Sequence, residues 1–99
     1  MTERKFAEYH WEHLERGSTL VITLSRPANV RLMDPENFAA FQDGVEYSAR
    51  ESVARKAPFR LRVPSSGPWF LVIDLEGLGG PLVRHSVHVE HRAVSSQRP

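Results

Sequence analysis

Phe59-Arg60-Leu61-Arg62-Val63-Pro64-Ser65-Ser66-Gly67-Pro68-Trp69-Phe70-Leu71-Val72-Ile73-Asp74-Leu75 is the stretch on which the fold turns. Residues 59 to 63 alternate apolar and charged side chains, the period of a strand with one buried face. Pro64-Ser65-Ser66-Gly67 carries turn chemistry: proline cannot donate in a ladder, serine folds back on its own backbone, and glycine takes positive φ at little cost. Trp69 to Leu75 is apolar apart from Asp74 and rich in aromatic and branched residues. Such a run predicts a central strand covered on both faces.

The turn suggests a register. A three-residue loop Ser65-Ser66-Gly67, with Gly67 in the left-handed region, would pair Val63 with Trp69, Leu61 with Leu71 and Phe59 with Ile73. Leu61, Leu71 and Ile73 are then fully buried. The opposite face carries Arg60, Arg62, Phe70, Val72 and Asp74. A four-residue loop would place Arg62 opposite Trp69 and mix the faces, so the first register is preferred.

Working outward, the chain of 99 residues has room for one domain over residues 1–99, with a frayed tail at 93–99. It has no cysteine, which removes disulfides and thiolate metal sites and fits the cytoplasm. No apolar run reaches membrane-spanning length, and Met1 to Lys5 lacks the apolar stretch of a signal peptide. Thirteen basic and twelve acidic residues nearly cancel, so net charge gives no specific signal for nucleic acid or a membrane surface. Eleven of the basic residues are arginine, the better fork for carboxylate and phosphate.

Phe6 to Trp11 reads as a strand with Ala7, Tyr9 and Trp11 on one face, while an amphipathic helix over residues 3–16 stays open as the alternative. Thr19 to Ser25 is a strand with Leu20, Ile22 and Leu24 inward and Val21 and Thr23 outward. Val30 to Met33 is a short strand whose inward pair is Val30 and Leu32. Asp34-Pro35-Glu36 opens a short helix, with Asp34 as N-cap, Phe38 and Phe41 on one face, and an end by Gly44. Val45 to Lys56 is weakly patterned and reads as a loop with an edge strand around 45–48. Leu82 to Glu90 is the last strand, with Val83, His85, Val87 and Val89 on one side. The sum is an all-β domain: a mainly antiparallel β-sandwich or small barrel of five to seven strands with at most one short helix.

The blocks Gly17 to Leu24, Ala28-Asn29-Val30-Arg31-Leu32-Met33-Asp34, Phe59 to Gly67 and Trp69 to Leu75 resemble a small bacterial family, domain of unknown function 1883. The likeness spans about residues 6–90. Members of that family occur alone and joined to TIR domains, so the resemblance implies a compact β domain and a sensing role, and it brings no catalytic residue. At Glu46-Tyr47-Ser48-Ala49-Arg50-Glu51 this chain departs from the aromatic and glycine residues of other members.

The residues themselves offer little catalytic chemistry. His85, His88 and His91 are spaced by three, but on a strand residues three apart face opposite ways, and His85 and His91 lie roughly 20 Å apart. No metal site or cofactor is therefore expected. Ser65, Ser66, Asp74 and His85 form no nucleophile elbow, and Gly77-Leu78-Gly79-Gly80 lacks the ending of a phosphate loop. No catalytic residues are assigned. The candidate ligand-binding set is Arg60 and Arg62, about 7 Å apart on one strand face, with Phe70 opposite Arg62 for stacking and Arg31 beside them. Phe70 and Val72 need a cover, from the 45–56 loop, a second subunit or a ligand. The leading expectation is a non-catalytic binding or sensing module for a small anionic ligand or an acidic protein partner. A structural domain that self-associates as a homo-oligomer is the alternative, and a small hydrolase or metal enzyme built on the histidines ranks third.

Overall fold

The computed structural model describes residues 6–78, 80 and 84–91. Seven strands and one helix follow in the order β1 (Ala7–Leu14), β2 (Thr19–Leu24), β3 (Ala28–Met33), α1 (Pro35–Asp43), β4 (Arg50–Ala54), β5 (Phe59–Arg62), β6 (Gly67–Asp74) and β7 (His85–Glu90). They build two antiparallel sheets, β1-β6-β3-β4 and β5-β2-β7. The expected β-sandwich is present, and residues 7–14 are strand rather than helix. No described helix is long and apolar enough to cross a membrane. The first two residues of the expected last strand, Leu82 and Val83, and the tail 93–99 lie outside the described residues.

The central hairpin does not form. β5 pairs with β2, placing Leu61 opposite Leu20 and Phe59 opposite Ile22. β6 pairs with β1 and β3 in the other sheet, placing Leu71 between Tyr9 and Leu32. The connection Val63 to Ser66 is therefore an arch from one sheet to the other. Four residues reach over 10 Å when extended, enough to span two facing sheets. Alternation identified the buried face correctly but could not say whether the neighbour lay beside the strand or across the sandwich. Val63, Leu71 and Ile73 do share one core cluster, with Phe59, Leu61 and Trp69 packed against it. Leu61 is half-buried rather than fully buried, because β5 is a short edge strand. Gly67 has φ +148°, so it uses glycine's freedom at the start of β6 rather than in a hairpin loop.

The core between the sheets comprises Leu20 and Ile22 from β2, Val30 and Leu32 from β3, and Leu71 and Ile73 from β6, all at most 1% exposed. Val21, expected on the solvent side, is 3% exposed. It lies on the central strand of its sheet between Arg60 and His88, whose long side chains can shield it.

The second face of β6 is covered by α1. Asp34 caps the helix by accepting from the Asn37 N–H at 2.8 Å, Pro35 stands in its first turn, and Gly44 closes it at φ +75°. Phe38 and Phe41 form a second cluster with Met33 and Val72, joined by Phe6, Tyr47, Ala49 and Phe70. The helix supplies the main cover that Phe70 and Val72 needed, and the 45–56 segment adds Tyr47 and Ala49. That segment also holds an unexpected strand, β4, at 50–54 instead of 45–48. Its inner side presents Arg50, Ser52 and Ala54, so the hydrophobic pattern is nearly absent. Inward charge on an edge strand discourages edge-to-edge pairing.

Leu71→Ala is expected to lower stability by about 2–5 kcal/mol in urea unfolding. A loss below about 1 kcal/mol would place the core elsewhere.

Candidate functional site

Arg31 is an outward-facing residue of β3, flanked by Glu51 on β4 and Val72 on β6. Its guanidinium forks Asp74, with Nε 2.7 Å from Oδ2 and Nη2 3.2 Å from Oδ1. Nη1 donates to Glu51 Oε2 at 2.5 Å and to Tyr47 Oη at 3.0 Å, and Nη2 reaches Glu76 Oε1 at 3.3 Å. The Arg31 side chain is 12% exposed and that of Asp74 is 4% exposed. Asp74 also accepts from Asn29 Nδ2 at 2.8 Å and from the Glu76 backbone N–H at 2.9 Å. Burial raises the Asp74 pKa, but the bonds from Arg31, Asn29 and Glu76 outweigh it and leave the carboxyl below its ordinary range. Glu51 is held low in the same way, against burial, by Tyr47 and Arg31. Arg31 is thus an internal structural cation whose donors are spent on three carboxylates. The sequence signal for it was present: one Asp inside an apolar run and one Arg between Val30 and Leu32 are charges that need each other.

Phe70 is a packed ring. It stacks on Phe38 at 4.0 Å and 6°, and on His10 at 4.3 Å and 17°. Its ladder neighbours are His10 and Met33, and Arg62 lies opposite Thr19 on the other sheet. Arg31 and Phe70 therefore occupy the outer face of the four-stranded sheet, and Arg60 and Arg62 the outer face of the three-stranded sheet. The four candidates are not brought together, and the expected stacking of Arg62 on Phe70 does not occur.

Arg60 Nη1 donates to Glu90 Oε1 at 2.6 Å in an exposed pair. Arg62 differs, since no carboxylate among the described residues lies within ion-pair distance of it. It lines a pocket with Arg16, Gly17, Val63 and Pro64. Arg16, which sequence reasoning passed over, is equally without a carboxylate partner among the described residues. Two connections frame the pocket: the turn after β1 and the arch before β6. The Gly17 N–H donates to Val63 O at 2.9 Å, and the Val63 N–H donates to Ser18 O at 2.8 Å. The Arg16 N–H donates to Ser66 Oγ at 2.8 Å. Gly17 has φ +88°, a backbone that the tight turn requires and glycine adopts freely. Ser18 behind the turn is fully buried, and its hydroxyl has no partner among the described residues. The backbone of this corner is therefore tied down while its two guanidiniums are uncommitted. No sequence pattern pairs Arg16 with Arg62, because Arg16 stands in the turn after β1 and Arg62 at the end of β5, and they meet only through the β2–β5 ladder and the arch that continues it.

The histidines have separate surroundings. His85 Nδ1 lies 2.6 Å from Tyr9 Oη, joining β7 to β1 across the sandwich, and burial raises the Tyr9 pKa. His88 is on the opposite face of β7, 3.9 Å from Glu90. Asp74, His85 and the two turn serines are drawn into different contacts and form no triad.

The family model described as Domain of unknown function (DUF1883) matches residues 4–93. Comparison with curated proteins and with solved structures returns no match.

The Arg31 cluster makes stability depend on pH. Carboxyls with lowered pKa contribute stability that is present above the ordinary carboxylate pKa near 4 and is lost as pH falls through the lower folded values. Unfolding free energy is therefore expected to be level near neutrality and to fall from about pH 5 downward. Asp74→Asn should cost about 3 kcal/mol at pH 7, the low end for a broken buried pair because Glu51 and Glu76 remain. It should also flatten the acid limb. Urea unfolding of both proteins across pH 2–7 checks this, and parallel pH profiles would contradict it.

Proposed function

Starting from a chain that belongs to the DUF1883 family of domains of unknown function, we propose that it is a non-catalytic binding module for an anionic ligand, with Arg62 and Arg16 as its contact residues. The observation that carries the reading is the pair of guanidiniums without carboxylate partners on one pocket, in a chain whose net charge is only +1. Two arginines can each fork a phosphate or carboxylate oxygen pair. Their backbone supports are fixed by the ladder-like bonds between Gly17, Ser18 and Val63, which lowers the ordering cost of binding. Arg60 stands one strand step behind, held by Glu90, and would join the site only when a stronger anion displaces that carboxylate. Arg31 contributes to the fold of the opposite face on this reading, and Phe70 to the seating of α1.

The sensing role implied by TIR-joined members, and a cytoplasmic setting suited to a chain without cysteine, belong to the same proposal. Catalysis forms no part of it, since the pocket offers charge and backbone but no nucleophile or general base within the lining.

A thermal-shift screen of nucleotides, sugar phosphates and acidic peptides identifies a first ligand. The double variant Arg16→Gln/Arg62→Gln should keep its melting temperature within about 4 °C, as expected for exposed sites. Its affinity for that ligand should drop at least tenfold, about 1.4 kcal/mol. Binding to the unaltered chain should weaken with added salt, because exposed charges are screened over about 8 Å at physiological ionic strength. An affinity indifferent to both the substitutions and salt would place recognition elsewhere.

A further inference from the structure

We infer that the ligand of the Arg16/Arg62 pocket is an extended peptide that carries one carboxylate beside a proline or aromatic residue; this rests on the anion-binding reading and narrows it. The observation is that two hollows lie in succession along one chain segment. Arg62 to Pro64 line the cationic pocket. Ser65 to Trp69 line the next hollow, whose other wall is the start of α1. The shared ridge is anchored by Ser66 Oγ, which accepts from the Arg16 N–H at 2.8 Å.

The second hollow has a different chemistry. Pro35, Pro68 and Trp69 are its apolar lining residues, and Glu36 gives it negative charge. The indole is held in place by its Nε1–H, which donates to Ser65 O at 2.9 Å. Asp34 also lines the hollow, but its carboxylate is occupied in capping the helix. The two proline rings suit proline and aromatic side chains, which dock at small entropic cost.

The charge pattern excludes a polyanion as the favoured ligand. A nucleic-acid strand carries a charge at every residue, so a strand seated on Arg16 and Arg62 would bring further phosphates against Glu36. An acidic peptide with a single carboxylate meets no such repulsion. Three or four residues of extended peptide reach about 10 Å, so a short peptide can touch two adjacent hollows. Ser65 and Ser66 lie outside both ladders, so the ridge between the hollows remains open to a peptide backbone.

The test is an isotope-labelled titration followed by amide and indole signals. The probes are acetyl-Asp-Pro-Phe-Pro-amide, acetyl-Pro-Phe-Pro-Asp-amide, their asparagine counterparts, inorganic pyrophosphate and a short oligothymidine strand. One aspartate peptide should bind at least tenfold tighter than its asparagine counterpart and should shift both the Gly17 amide and the Trp69 indole N–H. Pro68→Ser, an exposed and uncharged change in the second hollow, should weaken that peptide at least fivefold and leave pyrophosphate affinity unchanged. If pyrophosphate binds through Arg16 and Arg62 but no peptide exceeds it or moves the Trp69 signal, the peptide inference is overturned and the anion reading stands. Tighter binding of oligothymidine than of every peptide overturns it in favour of a polyanion. Binding that survives Arg16→Gln/Arg62→Gln, or no binding by any probe, removes both readings.

Discussion

β6 has to be covered twice, and that constraint shapes the molecule. Leu71 and Ile73 point to one side, Phe70 and Val72 to the other, and none of the four can be left to water without a cost of about 1.5–3 kcal/mol each. A strand of this kind cannot sit at an edge. It takes β1 and β3 as neighbours, the three-stranded sheet as the cover for Leu71 and Ile73, and α1 as the cover for Phe70 and Val72. The short helix is therefore part of the core, although the fold is a β-sandwich. Its ring stack of Phe38 on Phe70 adds to area burial by about 0.5–1.5 kcal/mol.

The helix covers the part of the outer face of the four-stranded sheet around Met33, Phe70 and Val72. Beside it on the same face stands the cluster around Arg31, in which one guanidinium satisfies Asp74, Glu51 and Glu76. A buried ion pair of this type is weak as a source of net stability but costly to break. Its second effect is to sort the arginines. Arg31 is committed by its surroundings and Arg60 is half committed by Glu90, whereas Arg16 and Arg62, like Arg26, Arg50, Arg55 and Arg84, have no carboxylate partner among the described residues; Arg16 and Arg62 differ from those four in lining one pocket together. A count of basic residues could not have made that distinction.

Much of this was legible from residue patterns. The helix could be read because its signals are local: Asp34, Pro35, the Phe38–Phe41 spacing and Gly44 all lie within one short segment. The inward faces of β1, β2, β3 and β7 followed from strict alternation. Pairing partners did not follow, because alternation is the same whether a strand's apolar side meets a ladder neighbour or a facing sheet. That is why Val63 to Gly67 looked like a hairpin and is an arch. β4 escaped because an edge strand with Ser52 and Arg50 on its inner side carries no hydrophobic signature. At the candidate site, Arg62 could be singled out on its strand, whereas Arg16 becomes its companion only when the arch brings the two connections together.

The arches have a consequence for how the chain finds its fold. β1 pairs with β6 and β2 with β7, so Ala7 meets Ile73 and Leu20 meets Val89. Neither ladder can zip from a nearby turn, and each must first close a long loop of unfolded chain. Among the described residues the one ladder between successive strands is β3 with β4, with α1 carried in the connection between them. That unit is the most local one in the described fold, and β6 joins it to β1 and to the core. The domain belongs with the slow, high-contact-order folders, whose time scale is milliseconds to seconds. During that interval the segment from Trp69 to Ile73, wholly apolar, stays exposed until β1 and β3 pair with it. The substitutions most harmful to yield would then be those that delay its capture by β1 and β3, even where the finished sandwich tolerates them.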